Sequence, residues 1–399
     1  MFKTKIAIAT LLSLISLGSN LVKIQALEET EKVNPLEIKE RDPILPNRST
    51  RRPFSPLERS KIDKQIVKLE QEAKSESLAG NEDRSFELWY RILRLKRELD
   101  RPEEIKTLGD VGELAWNKSR ELDVKIITQR LLDIDREAIL TGENDRNLLL
   151  GLGKAYQQVR AFDPAIAIYE KILIEAEQQQ EDETKLETLK LLGTLYLAKF
   201  NYAKAAPIYE ELLKIARSQN DNFNIGIYLT QLAEIYDRVA LPENALQIKQ
   251  QIQQKYLSNG NIQALVKLKI SIAQDYETLQ EPEKASSNYQ EAFDLAWSLQ
   301  NLAAASEALE KLASLYLDYN QPIAAIQIYQ QLIKVQQQSY DFFGLMNTYD
   351  RIGDIYSKQN NFPGAIDAFQ RGREIARSLQ YQESYFIERI DRVKQEIKN

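Results

Sequence analysis

Histidine and cysteine, the side chains that most often serve nucleophilic catalysis and bind transition metals, are both absent from the 399 residues. Without them a Ser-His-Asp or Cys-His system cannot be assembled, and an ordinary zinc site has no ligands. Carboxylates remain, in pairs such as Glu210-Glu211 and in the run Glu181-Asp182-Glu183. Two acids set across a sugar can drive glycoside hydrolysis. These acids fall on exposed helix faces or in a loop, beside lysines, and nothing in the surrounding pattern breaks to make a pocket that excludes water. Gly151-Leu152-Gly153-Lys154 resembles part of a phosphate loop, but its glycines lie inside a helical pattern, and neither Gly-x-Gly-x-x-Gly nor a Walker lysine motif is present. The residues therefore predict no cofactor, no metal and no enzyme.

The elements that carry these residues are helices. In Ala308–Ile333, Leu309, Leu312, Ala313 and Tyr316 occupy i, i+3, i+4 and i+7, the spacing of one helix face. Asp318-Tyr319-Asn320-Gln321-Pro322 then supplies turn formers and a proline, which suits the first turn of a new helix. Ala325, Ile328, Tyr329 and Leu332 resume the spacing. The stretch predicts helix, tight turn, helix.

The pattern recurs with a fixed period of forty. Tyr316 maps onto Tyr276, Tyr236, Tyr196, Tyr156, Trp116 and Tyr356. Ala325 maps onto Ala285, Ala245, Ala205, Ala165 and Ala365. Three residues before the tyrosine stand Gly153, Gly193, Ala233, Ala273, Ala313 and Gly353, each preceded by Leu or Ile. A fixed period of this size marks a solenoid built from one supersecondary unit. The small residue of the first helix is expected to face the alanine of the second.

These columns resemble the tetratricopeptide repeat family: small residue, aromatic, alanine, aromatic, as in Gly193, Tyr196, Ala205 and Tyr209. The period departs from the family's usual one of about 34 residues, and the second helix is expected to be the longer one. The resemblance implies an all-α protein, an α-α superhelix forming a right-handed solenoid of antiparallel hairpins. Six units are assigned to 146–380. Residues 57–145 keep the register with decayed residues, Trp116 and Trp89 falling in aromatic columns, and form degenerate repeats and an N-terminal cap. Residues 381–399 form a capping helix.

The resemblance also implies that the first helix of each unit lines a concave groove. By column, its exposed positions include Lys154, Lys190, Glu234, Asp237, Lys267, Ile270, Glu277, Glu307, Glu310, Asp350 and Asp354. The charged ones are the candidate partner-binding residues. Toward the C-terminal half the acids outnumber Lys267, which predicts a basic or neutral protein or peptide partner held without catalysis. The asparagines with which some family members clamp a terminal carboxylate are missing. An assembly factor or structural spacer, contacting partners by its outer face or ends, is the alternative.

At the N-terminus, Lys3 and Lys5 precede the apolar run Ile6–Leu17, a secretory signal pattern too short for a comfortable membrane span. Cleavage is expected after Gly18 or Ala26, giving a signal at 1–26 and no integral span afterwards; an uncleaved membrane anchor is the alternative. Export to the periplasm or another extracytoplasmic compartment of a bacterium follows, and the absence of cysteine fits a chain that relies on packing alone. Residues 27–56, with five prolines and many charges, are expected to be a disordered tail. Loss of Lys3, Lys5 and Lys23 moves the net charge from −6 to −9. An acidic chain repels phosphate backbones, so nucleic acid is not an expected partner.

Overall fold

The repeat is built of two helices of 17 residues and two turns of three. In the computed structural model, which describes residues 34–46, 52–143 and 145–398, every helix from Asp182–Ala198 to Phe362–Ser378 has 17 residues. A residue in the left-handed region ends each step: 160, 180, 200, 220, 240, 260, 280, 300, 320, 340, 360 and 380. At the turn predicted from sequence, the Asn320 N–H donates to the Leu317 carbonyl (3.0 Å) and the Gln321 N–H to the Tyr316 carbonyl (2.7 Å). This αL ending satisfies carbonyls that the helix leaves open. Glycine suits such positions, yet only Gly260 supplies it in the regular series; Ala240, Phe200 and Tyr340 carry side chains there. The second helices are not longer than the first, so the extra length relative to the usual unit is shared between them.

Helix starts follow from the sequence in two ways. Asp145, Asp221, Asn261, Asn301 and Asp341 each accept a backbone N–H three residues on, capping first helices. Pro242, Pro282 and Pro322 occupy the first position of second helices, where a missing N–H costs nothing.

The elements are α1 (Pro56–Leu78), α2 (Glu82–Leu99), α3 (Arg101–Asn117), α4 (Glu121–Thr141), α5 (Arg146–Gln158), α6 (Phe162–Gln179), α7 (Asp182–Ala198), α8 (Tyr202–Ser218), α9 (Asn222–Arg238), α10 (Pro242–Ser258), α11 (Ile262–Thr278), α12 (Pro282–Ser298), α13 (Leu302–Asp318), α14 (Pro322–Gln338), α15 (Phe342–Lys358), α16 (Phe362–Ser378) and α17 (Glu383–Glu396). They are consecutive antiparallel hairpins, with no strand among the described residues. None of these helices is long and apolar enough to cross a membrane. The chain divides into two compact units, Met1–Leu195 and Tyr196–Asn399.

In the second unit the seams are small residues against aromatics. A Cβ on Gly353 would meet the Phe369 ring at 2.4 Å. The same holds in the first unit, where a Cβ on Gly153 would meet Tyr169 at 2.8 Å. The small residue thus makes room for the aromatic of the second helix, where the sequence predicted its alanine. The alanines from Ala165 to Ala365 are nonetheless fully buried. A core cluster of the second unit runs through Ala285, Tyr289, Leu312, Ala325 and Leu332. Helix α17 closes it: Phe386 packs at the Cβ position of Gly372 and is buried with Ile390 and Val393.

In the first unit the register slips by one residue before α5. The left-handed turn falls at Ser119, not 120, and α4 runs for 21 residues. Gly112, not Glu113, therefore fills the small-residue position, where a Cβ would meet Val159 at 2.2 Å. Ala115 takes the aromatic column fully buried, and Trp116 is left 50% exposed. Residues 34–46, within the expected tail, lie against α2. Leu36 is buried, Arg91 grips Asp42 through two bonds of 2.7 and 3.1 Å, and Arg94 and Arg97 donate to the Pro35 and Leu36 carbonyls. The arginines recur at every third position on one face of α2, and that spacing is what orders the segment. The signal pattern at 1–26 lies outside the described residues.

Candidate functional site

One place in the array breaks its own columns. Position 249 is Tyr169, Tyr209, Tyr289, Tyr329 or Phe369 in the other units, and here it is lysine. Position 275 is Ala155, Leu195, Ile235, Leu315 or Ile355 elsewhere, and here it is aspartate. Both columns are apolar seam positions. The two exceptions meet: Lys249 Nζ donates to Asp275 Oδ2 and to Asp237 Oδ1, each at 2.7 Å. Lys249 is buried to 2% exposure and Asp275 to 7%, whereas the Asp237 side chain is 40% exposed. A cavity of about 280 Å³ lies there, with Tyr236, Leu241, Pro242, Ser271, Gln274 and Thr278 among its walls. It lies where the ends of α9 and α11 meet the turn into α10.

Burial pushes the Asp275 carboxyl up to about 6; the hydrogen bond and charge of Lys249 oppose the rise, and Asp237 adds to it. Two acids thus converge in a cavity, the arrangement that carboxylate catalysis needs. The ammonium lies between them and is bonded to both. The repeat pattern is interrupted at this point, and the cavity there is open to solvent beside the 40% exposed Asp237 side chain. The signal was legible in the two columns, as a paired loss of apolar character at 249 and 275.

The other sequence-predicted residues are dispersed. Lys154 is exposed on α5, and Lys190 is paired with Glu187 at 2.8 Å on α7. On α9, Glu234 faces Arg238 at 3.8 Å. Lys267 is exposed on α11, but Ile270, expected at the surface, is buried to 4%, because it turns into the seam with α12 and α13. Glu277 is half-buried and burial raises its carboxyl, with the Tyr289 hydroxyl and the charge of Lys311 opposing the rise. Glu307 and Glu310 are exposed neighbours on α13; Glu310 is raised by partial burial, then by Asp341 and Glu307. Asp350 and Asp354 are engaged within the chain. Tyr385 O–H donates to Asp350 at 3.0 Å, and Arg389 of α17 reaches both acids while lying over the Phe369 ring at 4.6 Å. Among the described residues no group of histidines, cysteines and acids could hold a metal ion.

This geometry defines a class, a tetratricopeptide-like array of helix hairpins with an enlarged unit. Residues 170–340 match the family model described as soluble NSF attachment protein, SNAP. No curated protein matches the chain in sequence. Among solved structures, BtubC (BKLC) from P. vanneervenii is 20% identical, over 55% of this chain and 92% of that one, with a TM-score of 0.38. A STAND protein with a tetratricopeptide repeat sensor, from Pyrococcus horikoshii, is 18% identical over 77% of this chain and 49% of that one (TM-score 0.42). A Rap protein complexed with competence and sporulation factor is 15% identical over 84% of this chain and 99% of that one (TM-score 0.33).

Proposed function

We propose that this chain is a non-catalytic scaffold that holds a basic protein or peptide segment against the first helices of its second unit. The observation that carries the reading is the sign of the charge at the columns expected to line the groove: Glu234, Asp237, Glu277, Glu307 and Glu310 against Lys267. Complementary charge steers association and sets specificity more than it sets affinity, and it weakens as salt screens it. Catalysis by Asp237 and Asp275 is disfavoured because Lys249 already takes an oxygen of each. In this reading the chain is exported, on the strength of Lys3, Lys5 and the apolar run that follows, and works in the periplasm or another extracytoplasmic compartment of a bacterium. Affinity capture of the chain's partner from its native extract tests the face. Glu307→Lys with Glu310→Lys should reduce capture, and unchanged capture at low salt would sink the reading.

A structural spacer is the second reading, favoured by exposed aromatics at one edge. Tyr340, Phe342, Phe343 and Tyr381 are 46–77% exposed, and Phe343 and Tyr381 stack edge to face with centroids 5.7 Å apart. Phe343→Ser with Tyr381→Ser would then abolish capture while the reversed acids would not.

A further inference from the structure

The cavity at Lys249 is lined by two ionisable side chains that are themselves more than nine-tenths buried, Lys249 and Asp275. We infer that it is an anchor pocket for one basic side chain, lysine or arginine, of the bound partner. The inference rests on the scaffold reading and adds a location and a chemistry to it.

Several observations support it. The cavity of about 280 Å³ is at the small end of ligand sites, so it suits a side chain better than a whole cofactor. Its ionic groups, Asp237, Asp275 and Lys249, sum to one negative charge, so a cation is the favoured guest. Lys249 binds only Oδ1 of Asp237, and that side chain is 40% exposed, so Oδ2 is available at the mouth for a charge-assisted hydrogen bond. Lys249 commits two of its three N–H donors to the acids. The third is left for an acceptor in the cavity, such as a carbonyl of the same peptide. The chain also shows the chemistry once in its own fold: Arg389 enters the α15–α17 seam against Asp350 and Asp354 with an aromatic ring beneath it. At the α9–α11 seam two acids and the Tyr236 ring are again at hand; Lys249 takes one oxygen of each acid, and among the described residues no arginine lines the cavity.

The test uses the full chain and Nα-acetyl-L-arginine amide as probe, followed by amide NMR shifts. Nα-acetyl-L-citrulline amide, of the same shape without the charge, is the control. Saturable shifts are expected at Asp237, Ala240, Ser271 and Thr278, with citrulline at least about tenfold weaker, the factor that one charge-assisted bond supplies. Asp237→Asn should weaken arginine by a similar factor. The double variant Lys249→Tyr with Asp275→Leu restores the residue classes of the other units, so it should fold and lose the shifts. Equal shifts from arginine and citrulline, no shift at these residues, or full binding by the double variant would each overturn the pocket. If capture still falls on reversal of Glu307 and Glu310 in any of those cases, the pocket alone is retired and the scaffold reading stands.

Discussion

The seams around α2 to α4 and those of α11 to α16 meet one need, burying the side of a helix against its neighbours, with different chemistry. In the first region a buried ionic network runs alongside the apolar seam. Glu104, 3% exposed, accepts from Arg97 (3.1 Å) and from Arg130 (2.7 and 3.1 Å), and Arg130 continues to Glu137 at 3.3 Å. Tyr90 O–H donates to the buried Asp123 at 2.6 Å, and Arg120 closes the group from above Phe86. In the second region the seam is small residues and rings. The difference teaches what the period requires. Small-aromatic packing works only in register, because each cradle fits one ring. Long charged side chains reach across a one-residue slip, and the slip at Ser119 occurs where they take over. Lys249 and Asp275 are a fragment of ionic seam inside the regular array, and they line a cavity there.

The comparison breaks most sharply at Glu104. Glu104→Ala strands two arginines in a seam, and loss of about 3–5 kcal/mol is expected in urea denaturation. A change under about 1 kcal/mol would mean that the network is ornamental. Next comes the exchange of chemistry itself. Lys249→Tyr with Asp275→Leu converts the exceptional seam to the regular kind and should stabilise the second unit by about 1–4 kcal/mol. A drop in stability would show that the cavity is not a packing defect of the ionic seam.

The third effect is read by pH. The Asp275 carboxyl titrates at about 6 when folded against 3.8 ordinarily. The folded chain therefore binds that proton more tightly than the unfolded chain. The stabilisation is complete below about pH 3.8 and is lost as pH rises through about 6, by at most about 3 kcal/mol. Asp275→Asn should flatten stability across that window; an unchanged slope would place the titration elsewhere.

The two smallest effects concern the regular array. Ala285→Leu, at a fully buried seam alanine, should overpack it by roughly 1–3 kcal/mol. A neutral result would mean that the seam has slack. Ala240→Gly, at a left-handed turn with φ +55°, should stabilise by about 1 kcal/mol by removing the Cβ penalty. The reverse change at Gly260 should cost about as much. Thermal melts of both variants check the pair.

Much of the array was legible because its determinants are local. The hairpin at Ala308–Ile333 follows from apolar spacing and Pro322, and the unit length from columns that hold through six units. Five of the six first helices carry an Asx cap, with Glu181 at the sixth, a column that alanine and tyrosine overshadow. The candidate site was half legible. Asp237 was reached by its column, but Lys249 and Asp275 became informative only as departures from a pattern, and a survey of what repeats passes over what does not. Ile270 misled for a related reason: an aliphatic residue in an exposed column rotates into the seam when a neighbour has room for it.

The sequence by itself determined the helices, their ends, the regular step from turn to turn and the acidity of the chain, because capping, proline geometry, apolar periodicity and charge act between residues close in the chain or merely add up. Tertiary structure decided which partners meet. Only there does Gly153 face Tyr169 rather than an alanine, Ser119 take the turn one residue early, Arg389 claim Asp350 and Asp354, and a lysine from α10 reach acids on α9 and α11. Those outcomes depend on volumes and reach between elements distant in sequence, which no local pattern encodes.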